Sequence, residues 1–257
     1  MYAIKPYRRL HAVEYARKWA LARNPLFTDF ADFGGDCTNF VSQSIFAGSC
    51  VMNGTETFGW YYRAPGDYAP AWTGVPYLYN FLTSNMEDGP IGMEIPVEEA
   101  EPGDVIQLGR NDGTYYHTVI VTGMRGGVPL ICAHNNDALD RPLNTYTYDR
   151  ARCIHITGVR ITLPAWDCCY PGMLSGTSIF PAGTESLSCY PPDMAAGAGV
   201  AAEAAPESAV QPPQTPAEPE SIPDAEAPLP ADLLPPDFVP PQPAEPEDTG
   251  GEAYPGS

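Results

Sequence analysis

Basic residues are scarce in this chain. Lys and Arg number 13 against 32 Asp and Glu over 257 residues, a formal net charge of −19, and none lies between Cys189 and Ser257. A partner for nucleic acid needs a basic face or a Lys/Arg-rich run, and there is neither, so nucleic acid is excluded as a partner. Long apolar runs are missing too. No stretch approaches the ~18 residues of a membrane span, and the basic start Met1-Tyr-Ala-Ile-Lys-Pro-Tyr-Arg-Arg is followed by no apolar h-region. The expectation is no membrane span and no signal peptide, hence a cytoplasmic protein by default unless export follows another route. Cys-x-x-Cys spacing is also absent. The seven cysteines (37, 50, 132, 153, 168, 169 and 189) are odd in number and irregularly spaced, unlike a disulfide framework. The vicinal pair Cys168-Cys169 has no second pair to complete four ligands, so neither a metal nor a cofactor is expected. Cys132 and Cys153 sit in strand-like runs and read as core thiols. Repeats that would form a wall-binding array are lacking as well.

Composition divides what is there. Residues 190–257 hold 17 of the 30 prolines and 13 of the 32 acidic residues, so the tail carries −13 and the body −6. Such a segment buries too little apolar surface to offset its ordering entropy, which predicts disorder with polyproline II character over 186–257. Its Leu233-Leu234-Pro-Pro-Asp-Phe-Val239 run could dock an unknown partner, though a plain linker fits the composition better. The body, residues 1–185, suits one globular domain with a substantial core.

Within the body, residues 6–23 have helical periodicity, with Leu10, Val13, Ala16 or Arg17, and Ala20 on one stripe and Asn24-Pro25 as the stop. A second helix starts at Cys37 and closes near Gly48. Thr73 to Leu82 reads as a third, with Val75, Leu78 and Leu82 on one face. The aromatics of residues 54–77, Trp60 and Trp72 among them, either pack over a sheet or wall a substrate cleft. After Glu99 the pattern becomes antiparallel strands: Val105–Leu108, a hairpin signal at Asn111-Asp112-Gly113, Tyr115–Thr122, a turn at Gly126-Gly127, Val128–His134 and Thr157–Leu163. Helices first and strands afterwards predict an α+β fold.

One segment carries chemistry. Gly34-Gly35-Asp36-Cys37-Thr38-Asn39-Phe40-Val41-Ser42-Gln43 places a cysteine after a turn and at a helix start. There the macrodipole and unpaired backbone N–H groups favour thiolate. Downstream, His117 lies on a strand, and a cysteine on a helix followed by a strand histidine is the order of a papain-like active site. If the hairpin turns near Gly126, His117 falls opposite His134, Asn135 or Asn136, any of which could orient an imidazole. This makes Cys37 a nucleophile, His117 a base and one of the three an orienter. The alternative is a buried thiol with two structural histidines; the combination of turn, helix start, strand histidine and polar cluster favours catalysis.

Gly-Asp-Cys-Thr-Asn-Phe-Val-Ser-Gln at 35–43 closely resembles the signature of the bacterial putative amidase domain family, papain-like cysteine amidases related to CHAP and NlpC-type peptidases. Tyr15-Ala16-Arg-Lys-Trp19, Asn24-Pro25, Trp60, Trp72, Gly103-Asp104, His117-Thr118 and Ala133-His134 extend the likeness over about residues 6–163. The resemblance implies a papain-like cysteine peptidase fold, with N-terminal helices packed on a small antiparallel sheet. It also implies amide hydrolysis through a thioester acyl-enzyme. Cys37 would be the nucleophile, His117 the base, and His134 the third member with Asn136 as alternative. The oxyanion would be held by the Cys37 backbone N–H. Papain itself has a glutamine six residues before its cysteine; Ala31 stands at that position here. Asp36, Trp60 and Trp72 are the expected cleft residues. The implied partner is a peptide or amide substrate, with cell-wall peptide the class suggested by analogy. A thioester acyltransferase and an inactive binding module are the rival readings.

Overall fold

A computed structural model describes residues 2–162 and 169–179, which all fall within one compact unit. In chain order it contains β1 (Ala3–Lys5), α1 (Arg9–Trp19), α2 (Cys37–Ser49), β2 (Tyr62–Ala64), β3 (Asp67–Tyr68), α3 (Pro70–Thr73) and α4 (Val75–Ser84). There follow β4 (Gly89–Ile95), β5 (Val105–Gly109), β6 (Tyr115–Arg125), β7 (Val128–Ala133), β8 (Ala138–Pro142), β9 (Arg150–Ile161) and α5 (Cys169–Ser175). This is an α+β protein. The acidic, proline-rich tail lies outside the described residues.

The principal sheet is antiparallel. From one edge it runs β4, β9, β5, β6, β7, β8, and β1 pairs with the far end of β9 on the edge that β5 uses nearer its start. The sheet therefore recruits β1 and β4 from the helical half, beyond the strands expected after Glu99. The β6–β7 hairpin turns through Gly126 and Gly127, whose φ values of 58° and 80° are those of a type I′ turn that matches strand twist.

Side chains alternate between two apolar layers. Val105, Ile120, Cys132, Ile154 and Ile156 face the helices, whereas Ile106, Leu108, Val119, Val121, Ile131 and Cys153 face the other side. There they meet Ala100, Ala138, Leu143 and Tyr146. Period-2 alternation thus feeds both faces, and each buried aliphatic side chain contributes roughly 2 kcal/mol. Cys132 and Cys153 are buried within these layers, and burial pushes their thiols up to about 11 and about 12. They are protonated and inert near neutrality.

Three expectations need correction. α1 is shorter than 6–23, and Leu10 points to solvent; Val13, Ala16 and, just past the helix, Ala20 of the expected stripe are buried, together with Ala12 and Tyr15. Secondly, the helix expected over Thr73–Leu82 runs from Val75 to Ser84, because Gly74 takes an extended conformation that separates it from the short α3. Thirdly, Cys50 and Cys169, 119 residues apart, form a disulfide that fastens α5 to the end of α2. Irregular spacing did not exclude it, because pairing depends on where the folded chain brings two thiols together.

Candidate active site

The turn into α2 is made by Gly34 and Gly35, with φ of 101° and 110° that a residue with Cβ adopts only under strain. α2 then begins at Cys37, and every one of its residues is buried. A thiol in the first helical position sees the equivalent of about half a positive charge from the macrodipole. Cys37 is reduced, and its Sγ lies 3.7 Å from Thr38 Oγ1. Thr38 Oγ1 in turn shares a 3.1 Å hydrogen bond with Thr118 Oγ1 on β6. Gln107 Nε2 reinforces the contact by donating to Thr118 Oγ1 and to the carbonyl of Val75. The helix of Cys37 and the strand of His117 are thus fastened together one residue beyond each.

His117 pairs with Leu108 of β5, and its ring lies 6.2 Å from that of Tyr146. Burial lowers its pKa to about 4, so the imidazole is neutral at pH 7. Its ring has no hydrogen bond to His134, whose nitrogens meet Asp36 and Trp19. Pairing in β6–β7 places Ile120 opposite Cys132 and Val121 opposite Ile131, the register that a turn near Gly126 implies. The expected orienter nevertheless fails on geometry. β7 ends at Ala133, and residues 134–137 form a turn in which Asn135 and Asn136 have φ of 60° and 70°. Asn136 projects to solvent.

His134 is occupied elsewhere. Its Nδ1 meets Asp36 Oδ2 at 2.5 Å, its Nε2 donates to the carbonyl of Trp19 at 3.0 Å, and its ring stacks on Phe40. Asp36 therefore does not line a cleft: it is buried, and its Oδ1 accepts from the Phe30 N–H and from Asn39 Nδ2. The Asp36 N–H donates to Asn135 Oδ1 at 2.7 Å.

Trp60 and Trp72 also depart from the cleft expectation. Both are fully buried with rings 4.8 Å apart, inside an aromatic cluster with Phe27, Tyr62 and Phe81. Their indole N–H groups donate to Ser42 Oγ and Asn39 Oδ1. Tyr15 donates to Gln43 Oε1, and Asn24 Nδ2 donates to Tyr15 Oη. The polar residues around Cys37 thus hold the tryptophans, α1 and the Asn24-Pro25 turn in place, which sequence reading treated as separate signals. Among the described residues, no group of three His, Cys, Asp or Glu is arranged to hold a metal ion.

A family model described as a putative amidase domain matches residues 6–157. The chain belongs to that family. Amide hydrolysis is the general activity this membership indicates. Two relatives from Bacillus subtilis (strain 168) are similar to it. The uncharacterized protein YhbB is 36% identical over 137 residues, 51% of this chain and 42% of the relative. The uncharacterized protein YjcM is 26% identical over 169 residues, 62% of this chain and 38% of the relative. The chain therefore spans about two fifths of the length of either. No solved structure matches. Among the described residues, no helix is long and apolar enough to cross a membrane.

Proposed function

We propose that this amidase works by cysteine nucleophilic catalysis on a papain-like fold, with Cys37 as nucleophile and His117 as general base. The observation that carries the reading is the position of Cys37 at the first residue of a wholly buried helix, tied through Thr38 and Thr118 to the strand of His117. His134 is unsuited as a base because both its nitrogens are engaged. His117 is suited: it is neutral at pH 7, and its ring nitrogens are not committed to a described side chain. Catalytic hydrogen bonds are often absent or long without substrate and tighten when it binds.

In the proposed cycle, the Cys37 thiol passes its proton to His117 and the sulfur attacks the amide carbon. The carbonyl electrons move to oxygen, which the Cys37 N–H at the helix start stabilises. Collapse of the intermediate breaks the C–N bond, and the amine leaves with the proton from His117. A thioester remains. His117 then takes a proton from water as it attacks the thioester, releasing the acid and restoring the thiol. The substrate is a peptide or other carboxamide, and cell-wall peptides are the class to assay first. The Cys50–Cys169 disulfide favours an oxidising compartment, where such substrates are found.

Acid quenching during turnover of an activated ester, followed by mass spectrometry, tests the reading. An acyl group on Cys37 that decays in water and is absent from Cys37→Ala is expected. Turnover with no acyl adduct, unchanged in Cys37→Ala, would refute cysteine catalysis. Acyl transfer to an added amine in preference to water would make the chain a transferase.

A further inference from the structure

Resting on the reading of Cys37 as nucleophile, we propose that Asp36 and His134 form a charge-neutral clamp. It positions the start of α2 and prevents the carboxylate beside Cys37 from opposing its thiolate. They are positioning residues, acting on the nucleophile's helix rather than on His117.

The clamp follows from counting protons. The Trp19 carbonyl can only accept, so His134 Nε2 carries a hydrogen. The contact of His134 Nδ1 with Asp36 Oδ2 must contain a second, because two lone pairs do not approach to 2.5 Å. Whether that proton sits on nitrogen or on oxygen, imidazole and carboxyl together have zero net charge. Arg23 is a second, weaker charge partner of Asp36. Its Nη1 and Nη2 pair with Asp137 at 2.9 and 3.0 Å, its Nε lies 3.4 Å from Asp29, and it reaches Asp36 only at 3.7 Å. Asp36, His134, Arg23, Asp29, Asp137 and the buried Tyr15 are charged or titratable groups gathered at this end of α2, and His117 lies on β6.

Position is fixed by the same groups. Asp36 immediately precedes Cys37, and four contacts from three segments hold it: Phe30 N–H, Asn39 Nδ2, His134 Nδ1 and Asn135 Oδ1. His134 is itself held against the end of α1 and against the Phe40 ring. The turn after β7 therefore sets where the Cys37 N–H and thiol stand. Loss of the His134 proton would leave a less compensated buried carboxylate on the residue preceding Cys37, and a nearby like charge disfavours the thiolate.

The test is the rate of Cys37 alkylation by iodoacetamide against pH, located by mass spectrometry. It is run in wild type, His134→Gln, Asp36→Asn and the double variant, each checked for folding by circular dichroism. His134→Gln should raise the midpoint by about one unit or more, cutting labelling at pH 7 about tenfold. The double variant restores neutrality and should return the midpoint most of the way to wild type. A His134→Gln variant that titrates like wild type, or a double variant shifted as far as His134→Gln, would overturn the clamp. A wild-type midpoint near the free-thiol value of about 8.5 would instead refute the nucleophile reading. If His134→Gln fails to fold, nitrogen shifts of the wild-type ring decide the clamp. Nε2 should carry the proton that it donates to the Trp19 carbonyl, and an unprotonated Nε2 would overturn the neutral pair.

Discussion

Both ends of α2 carry a cysteine, and the molecule treats them in opposite ways. At the C-terminal end, Cys50 takes a left-handed conformation, closes the helix by donating its N–H to Phe46, and is oxidised with Cys169. At the N-terminal end, Cys37 is a reduced, buried thiol with its Sγ 3.7 Å from Thr38 Oγ1. The helix carbonyls give the first end its partial negative charge, and the helix N–H groups give the second its partial positive charge. Residue type is the same at both ends; position and neighbours make one sulfur a staple and leave the other a reduced thiol at the helix start, where the proposed mechanism needs it.

Removing the reactive end should have the largest effect. Cys37→Ala should cut hydrolysis by roughly 10³-fold or more while Tm stays within a few degrees, checked by product assay and calorimetry. His117→Ala should cost about 10²–10⁴-fold in kcat. Its pH behaviour sharpens the assignment. Because the folded pKa is about 4, the base remains neutral well below pH 6.5, and activity limited by this group should fall only as pH approaches 4.

Removing the stapled end should spare chemistry and cost stability. Cys50→Ala, or reduction of the Cys50–Cys169 bond, should lower stability by about 2–5 kcal/mol, a fall in Tm of roughly 5–15 °C. Labelling of Cys37 below the transition should not change. A comparable loss should appear on acidification. His117 is depressed from 6.5 unfolded to about 4 folded, so the unfolded chain binds the proton first. Stability should therefore decline as pH drops from about 6.5 to about 4, by up to about 3 kcal/mol from this group, and denaturant melts of His117→Asn should lack that component. Deleting residues 190–257 should change Tm and Cys37 labelling least, by an amount equivalent to under ~0.5 kcal/mol.

Local signals were legible in the sequence wherever the chain itself encodes them. Gly34-Gly35 before Cys37 marked the helix start, and Gly126-Gly127 marked a hairpin whose register follows from its turn. The run Val119-Ile120-Val121 marked a strand buried on both faces. Long-range partnerships were less legible. His134 is 98 residues from Asp36, and nothing in the Ala133-His134-Asn135-Asn136 run says that β7 stops at Ala133. Two residues more of strand, in the register that pairs Ile120 with Cys132, would have placed Asn135 opposite His117. Trp60 and Trp72 could pack or bind; the donors they send to Ser42 and Asn39 decided for packing. The polar residues of the Cys37 motif carried a usable clue. Buried Asn, Ser and Gln require partners, and the indoles and Tyr15 were the donors at hand.

The most direct test of the central claim is the pH profile of Cys37 alkylation in wild type and His117→Ala, with every cysteine followed by mass spectrometry. Selective labelling of Cys37 near pH 6, slowed strongly in the variant, is the expected result. Labelling that waits for about pH 8.5 and is indifferent to His117 would make Cys37 a buried structural thiol and contradict the assignment.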